Sequence, residues 1–245
     1  MNLLVVVAHP DDESFGCGSV LARAAEAGHR TAVLCATRGE AGESRLEVDD
    51  LAAVRESELR AAASLLGVDE VRVLDHRDSG MAGDPSPGTL AAADPSTLAA
   101  EVLAVVDELR PDVVITLDAT DGHRDHAVMR DATLAAVEQA GHPPAATYLW
   151  CLARSSMARW AEHQRVVGAG DAYLALGELG TPDEDITLVL DAAAQLGTRW
   201  AAIRAHASQG SPYDDLPADL QEEFLATDRL RLVRGTDVLG AEHDG

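Results

Sequence analysis

Four short aliphatic runs, each followed by an Ala- and Leu-rich segment of helical pattern, constrain this chain more than any other feature. Residues 3–7, 31–36, 71–74 and 113–117 are rich in Val, Leu and Ile with little polar alternation. Such runs suit strands buried on both faces. The segments after them, 19–27, 57–66, 97–109 and 128–140, read as helices. Gly28, Gly67 and Gly141 are placed to cap three of these, and Pro111 stops the other. This alternation predicts a mostly parallel sheet with helices on both faces, a Rossmann-like three-layer α/β sandwich. The last third is less regular. It offers strands over 147–149, 186–190 and 230–233 and a helix over 192–206, with loops at 84–95 and 208–217. There is no repeat and no long linker, so residues 1–245 read as one domain, long enough for a sizeable core.

That core must be aliphatic, because 47% of the chain is hydrophobic and only 3% aromatic. A formal charge of −23 argues against nucleic acid, whose phosphates need basic partners, and against anionic membranes. The charge reads as a solubilising surface. Cys17, Cys35 and Cys151 are odd in number and far apart, which suits a reducing cytoplasm better than a disulfide framework. No basic leader and no apolar stretch of about 20 residues is present. A soluble, cytoplasmic protein acting on a small molecule is expected, either alone or as a homo-oligomer.

Two polar clusters sit where such a sheet binds ligands, at the carboxyl ends of its strands. Ala8-His9-Pro10-Asp11-Asp12-Glu13 follows the first strand, and Asp118 to His126 follows the fourth. A catalytic zinc takes three protein ligands, imidazole nitrogen or carboxylate oxygen, and keeps one position open. His9 and Asp12 are three residues apart, which puts both on one side of a helical turn. His126 or His123 supplies the third ligand. Asp11, beside the ligands but pointing elsewhere, suits a general base for the attacking water. The remaining histidine of the late pair suits an oxyanion stabiliser or an acid for the leaving amine, acting best as imidazolium. An Asp-rich turn after a strand also serves as a helix cap. Capping needs one acidic residue, however, and explains neither three in a row nor the second cluster.

The first cluster resembles the A-H-P-D-D-E signature of the PIG-L/LmbE-like family of zinc-dependent N-acetylglucosamine deacetylases. Gly122-His123-Arg124-Asp125-His126 resembles that family's G-H-x-D-H motif. Weaker similarities run through the chain: Thr37 to Gly42, Arg55 with Glu58, Leu74-Asp75, Asp78-Ser79-Gly80-Met81 and His206-Ala207-Ser208-Gln209. The resemblance implies zinc on His9, Asp12 and His126, with other divalent transition metals also accepted. It implies Asp11 as general base and His123 as the group aiding charge stabilisation or leaving-group protonation. It implies substrate contacts from Arg55 and Asp78, and an N-acyl amino sugar or sugar conjugate as substrate. Two positions depart. Asp121 stands where relatives acting on thiol-cofactor precursors carry a tyrosine, and Arg124 replaces a proline.

Three other readings compete. A nucleotide-binding Rossmann domain fails on the first turn, where His-Pro-Asp-Asp-Glu occupies the place of a glycine-rich phosphate loop. A non-catalytic zinc module leaves Asp11 without purpose. A deacylase of a thiol conjugate or glycosylated natural product uses the same chemistry and differs only in its pockets.

Overall fold

The computed structural model describes residues 1–81, 83–169 and 171–240. Its elements in chain order are β1 (Asn2–Val7), α1 (Asp12–Phe15), α2 (Gly18–Glu26), β2 (Arg30–Cys35), α3 (Leu51–Leu65) and β3 (Glu70–Val73). There follow α4 (Pro95–Leu109), β4 (Val113–Leu117), α5 (Arg124–Gln139), β5 (Ala146–Trp150), α6 (Arg154–Val167) and α7 (Asp171–Leu174). The chain closes with β6 (Leu188–Asp191), α8 (Leu196–Ala205), α9 (Ala218–Leu225) and β7 (Thr227–Gly235). The strands form one sheet in the order β3-β2-β1-β4-β5-β7-β6. The first five pair in parallel, and β7 runs antiparallel to both of its neighbours. The mostly parallel three-layer architecture is therefore observed.

Alternate residues of β1 serve opposite layers, which explains its unbroken apolar run. Leu3, Val5 and Val7 pack with Val20, Leu21, Leu59 and Ala62 from α2 and α3. Leu4, Val6 and Ala8 pack on the other face with Leu98, Val102, Met129 and Ala136 from α4 and α5. A third cluster, outside these two, joins Met157, Ile203, Tyr213, Leu220 and Phe224 from α6, α8, α9 and the loop before α9.

Some boundaries differ from the sequence expectation. α3 starts at Leu51 because Asp50 caps it, accepting a 3.0 Å hydrogen bond from the Ala53 amide. α6 escapes the apolar period because it buries only Ser156 and Met157. α9 is eight residues long, too short to show a clear period. The helix expected from residue 192 begins at Leu196, after a 3₁₀ turn at Ala193–Gln195.

The anchor between these layers is Arg199 of α8, whose side chain is fully buried. It donates to the carbonyls of Ser14 at 3.2 Å and Gly16 at 2.9 Å, at the end of α1, and to that of Phe15. It also pairs with Asp228 of β7 at 3.2 Å. One guanidinium thus satisfies orphan carbonyls at the end of α1 and neutralises a buried carboxylate. Arg199→Met keeps much of the volume but leaves Asp228 unpaired. It should lower the unfolding free energy by roughly 3–5 kcal/mol. A urea titration showing a loss below about 1 kcal/mol would mean that Arg199 anchors nothing.

Candidate active site

The strand order reverses between β1 and β4, the switch point at which open α/β sheets bind ligands. Parallel pairing sets Leu3 to Val6 beside Val113 to Thr116, so the segments leaving the two strands emerge side by side. The first becomes the short helix α1, and the second leads through 118–123 into α5. Both polar clusters line one cavity of about 340 Å³.

Donor atoms of three residues converge there. His126 Nε2 lies 3.3 Å from His9 Nδ1 and 3.2 Å from Asp12 Oδ1, and His9 Nδ1 lies 3.5 Å from Asp12 Oδ2. Ligands at about 2.1 Å from a tetrahedral zinc stand roughly 3.4 Å apart, close to the spacing of these two ring nitrogens and the Asp12 carboxylate. The outer nitrogens of both rings meet carboxylates. His126 Nδ1 lies 2.6 Å from Asp121 Oδ2. His9 Nε2 lies 3.3 Å from Asp125 Oδ2 and 3.6 Å from Asp78 Oδ1. Each carboxylate fixes a tautomer in which the inner nitrogen offers a lone pair. Burial lowers the pKa of His126, but the carboxylates of Asp12 and Asp121 outweigh it and raise it to about 10. Without a metal the ring prefers a proton, and metal binding must expel it.

Asp11 stands apart from these donors. It occupies a left-handed backbone conformation, φ 113°, which is costly for any residue but glycine. Its neighbours enforce that geometry. The Asp11 amide donates to Glu13 Oε2 at 3.0 Å. Glu13, fully buried, also lies 2.8 Å from His206 Nε2 through its other oxygen. The Arg55 guanidinium donates to Pro10 O at 2.6 Å and to Asp11 Oδ2 at 3.0 Å. Burial raises the Asp11 pKa, Arg55 pulls it back and the Asp12 charge raises it again, leaving it at about 6.

Comparison with known proteins places the chain in a family. Residues 4–137 match the family described as PIG-L, GlcNAc-PI de-N-acetylase. The chain belongs to this family. It is 38% identical to a protein of Kineococcus radiotolerans named 1D-myo-inositol 2-acetamido-2-deoxy-alpha-D-glucopyranoside deacetylase, over 99% of this chain and 80% of that one. A protein of the same name from Acidothermus cellulolyticus is 34% identical, over 96% and 89%. Among solved structures, a conserved protein from Thermus thermophilus shares the fold, with a TM-score of 0.64 and 22% identity over 97% of both chains. As a member of the family, this chain is a deacetylase-type hydrolase.

Several assignments change in the folded protein. His123 was expected to act as imidazolium. Burial, followed by the charges of His9 and His126, pushes its pKa down to about 4 instead. Its Nδ1 accepts the Asp125 amide at 3.2 Å, capping α5, so the neutral ring carries its proton on Nε2. Arg55 was expected to contact substrate. It is 3% exposed, and its terminal nitrogens are engaged by Asp11 and by the carbonyls of Pro10 and Gly39. It lines the cavity as the holder of Asp11. Asp78 lines the cavity too, but its carboxylate faces His9 and accepts the Gly80 amide at 2.8 Å. Asp125 lies against the outer nitrogen of His9, and the N-cap of α5 is His123.

Asp121, at the position of the family tyrosine, binds the His126 ring and also accepts the His123 amide at 3.1 Å. The weaker motifs also meet: Glu58 of α3 accepts the Ser208 amide and hydroxyl at 2.8 and 2.6 Å. Asp121 and His206 went unassigned in the sequence. Their signal was an acidic or imidazole group beside a ligand cluster, too common to single out alone.

With zinc on His9, Asp12 and His126, Asp121→Ala should weaken metal affinity roughly 10–100-fold, the usual cost of losing the carboxylate behind a ligating imidazole. Chelator competition on the folded variant reads this directly. Unchanged affinity would remove Asp121 from the site. Zinc uptake by the metal-free protein should release protons, and apparent affinity should rise with pH up to about 10, where His126 gives up its proton.

Proposed function

We propose that this chain is a zinc-dependent amidohydrolase that removes the acetyl group from an N-acetylglucosamine-type amine. His9, Asp12 and His126 hold the metal, and all 245 residues serve as one catalytic unit. The observation that carries the reading is the approach of His9 Nδ1, His126 Nε2 and the two Asp12 oxygens to within 3.2–3.5 Å, with a carboxylate held beside them in a strained turn. Relatives 34–38% identical over nearly the whole chain, named for deacetylation of an N-acetylglucosaminyl inositol, support the substrate class.

Zinc bound there would polarise the acyl carbonyl and make a neighbouring water more acidic. The chain supplies the rest. The Asp11 carboxylate accepts a proton from water as the oxygen bonds to the carbonyl carbon. Arg55 keeps that carboxylate ionised and aimed. The His123 Nε2–H donates to the carbonyl oxygen as negative charge builds on it, a task a neutral imidazole at a helix N-terminus performs well. Asp11 then passes its proton to the amine nitrogen as the C–N bond breaks, releasing acetate and a free amino sugar. Asp121 and Asp125 hold the two ring ligands in register, and Asp78 faces the outer nitrogen of His9.

Acetate release from N-acetylglucosaminyl inositol tests the activity, with elemental zinc measured beside it. His9→Ala and His126→Ala should lose the metal, and full zinc content in both would reject the ligand set. Asp11→Asn should keep zinc and lose on the order of 10²–10⁴ in kcat, the usual share of a positioned general base. Asp12→Asn should also shed metal. The base must be ionised, so activity should rise with pH through about 6, and lower still once a dication faces the carboxyl. An acid limb unchanged in the residual activity of Asp11→Asn would assign that limb to another group.

A further inference from the structure

The cavity is rich in acceptors and poor in donors. The chain contains no lysine, and Arg55, the one arginine among the described lining residues, is committed to Asp11 and to backbone carbonyls. Two hydroxyl groups belong to that lining, those of Tyr173 and Tyr213. The Tyr213 hydroxyl donates to Phe15 O at 2.9 Å and is spent. The Tyr173 hydroxyl has no hydrogen-bond partner among the described residues.

The segment that carries Tyr173 is tied to the loop that carries the late histidines. The Gly180 amide donates to Thr120 O at 2.9 Å, and the Thr120 and Thr181 hydroxyls lie 3.2 Å apart. Leu176 packs so closely over Gly122 that a Cβ there would lie 2.5 Å from Leu176 Cδ1. Trp160 of α6 meets the Tyr173 ring edge-on at 6.2 Å and 87°, which fixes the plane of the ring. The tyrosine remains 37% exposed, so one side of it is open to an incoming molecule. Burial raises the pKa of its hydroxyl, and the carboxylates of Asp121, Asp12 and Asp11 raise it further. The oxygen therefore keeps its proton, within reach of the charges around the candidate metal ligands.

Attack of water on an amide carbonyl places negative charge on the carbonyl oxygen. That oxygen has more than one lone pair, and donors already aimed at it are worth far more in a shielded site than in water. Asp11, Asp12, Asp78 and Asp121 can only accept or repel. His123 supplies one N–H. We propose that Tyr173 is a further catalytic residue, its hydroxyl donating a second hydrogen bond to the carbonyl oxygen of the scissile amide. This rests on the reading of the cavity as the deacylation site and adds a residue to it. No proton changes hands in this contact. The O–H bond stays intact, the hydrogen bond strengthens as charge builds on the carbonyl oxygen, and it weakens again when the C–N bond breaks and the carbonyl re-forms.

Tyr173→Phe removes one oxygen and leaves the ring and its contact with Trp160. At unchanged zinc content and unchanged Tm, kcat on N-acetylglucosaminyl inositol should fall roughly 10–100-fold, at or below the usual cost of one lost donor because His123 shares the same oxygen. KM should stay within about twofold, since the bond gains strength only as charge develops. A raised KM at unchanged kcat would put the hydroxyl on a part of the substrate that does not react, and the proposal falls. It falls as well if neither constant changes.

Binding gives a readout independent of turnover. Glucosamine whose nitrogen carries a methylphosphonyl group in place of acetyl offers a tetrahedral, anionic centre to the same donors. Calorimetry should show Tyr173→Phe binding it more weakly than wild type by about the factor lost in kcat/KM, while glucosaminyl inositol, which lacks that centre, binds both proteins equally. Equal affinity of both proteins for the phosphonyl compound overturns the proposal. A wild-type protein that neither releases acetate nor binds this compound fails the deacylase reading itself. A wild-type protein that does both, with Tyr173→Phe its equal, fails only the role of Tyr173.

Discussion

The backbone pairing of β1 with β4 is the constraint on which the site depends. The two strands are more than a hundred residues apart in sequence, yet their parallel ladder brings both carboxyl ends to the same edge of the sheet. One supplies His9, Asp11 and Asp12; the other supplies Asp121, His123, Asp125 and His126. A one-residue slip in this ladder would turn the apolar faces of β1 over and move the His9 ring away from that of His126. The register is held because both faces of β1 are packed, so a slip would cost two cores at once.

The second constraint is charge. The cavity gathers the carboxylates of Asp11, Asp12, Asp78 and Asp121, with Asp125 just behind, around three histidines; Arg55 is the one arginine among its described lining residues. Burying so many acidic groups is expensive unless positive charge accompanies them. In the metal-free protein the carboxylates outweigh burial and raise the pKa of both His9 and His126. A dication provides positive charge more compactly. Arg55 meanwhile pairs with the Asp11 carboxylate at 3.0 Å. The strained backbone at Asp11 belongs to the same balance: Glu13, His206 and Arg55 hold open a turn that separates Asp11 from Asp12.

The third layer of organisation is the division of the cavity wall. The β1 and β4 ends furnish polar chemistry, whereas α6, α9 and the loop before α9 furnish rings and aliphatic carbons. These late elements are the least regular part of the sequence. They pack chiefly on one another in a small cluster of their own, anchored through Arg199 and Asp228 to the turn that carries Asp12.

Much of this was legible in the residues. The strand runs, their helices and the positions of both His/Asp clusters follow from local patterns, because burial on two faces and helix periodicity leave direct marks on neighbouring residues. The presence of Asp11 beside a candidate ligand was legible for the same reason. The tertiary structure alone decided the rest. It drew His126 to 3.2 Å from Asp12, made His123 the cap of α5, and bound Arg55 to Asp11. It also set Asp121 and Asp125 behind separate rings and brought six aromatic residues to one cavity. Each of these outcomes depends on contacts between distant segments, such as the 117-residue separation of His9 and His126. Local propensity and spacing carry no record of such distances; only the packed sheet and its covering helices do.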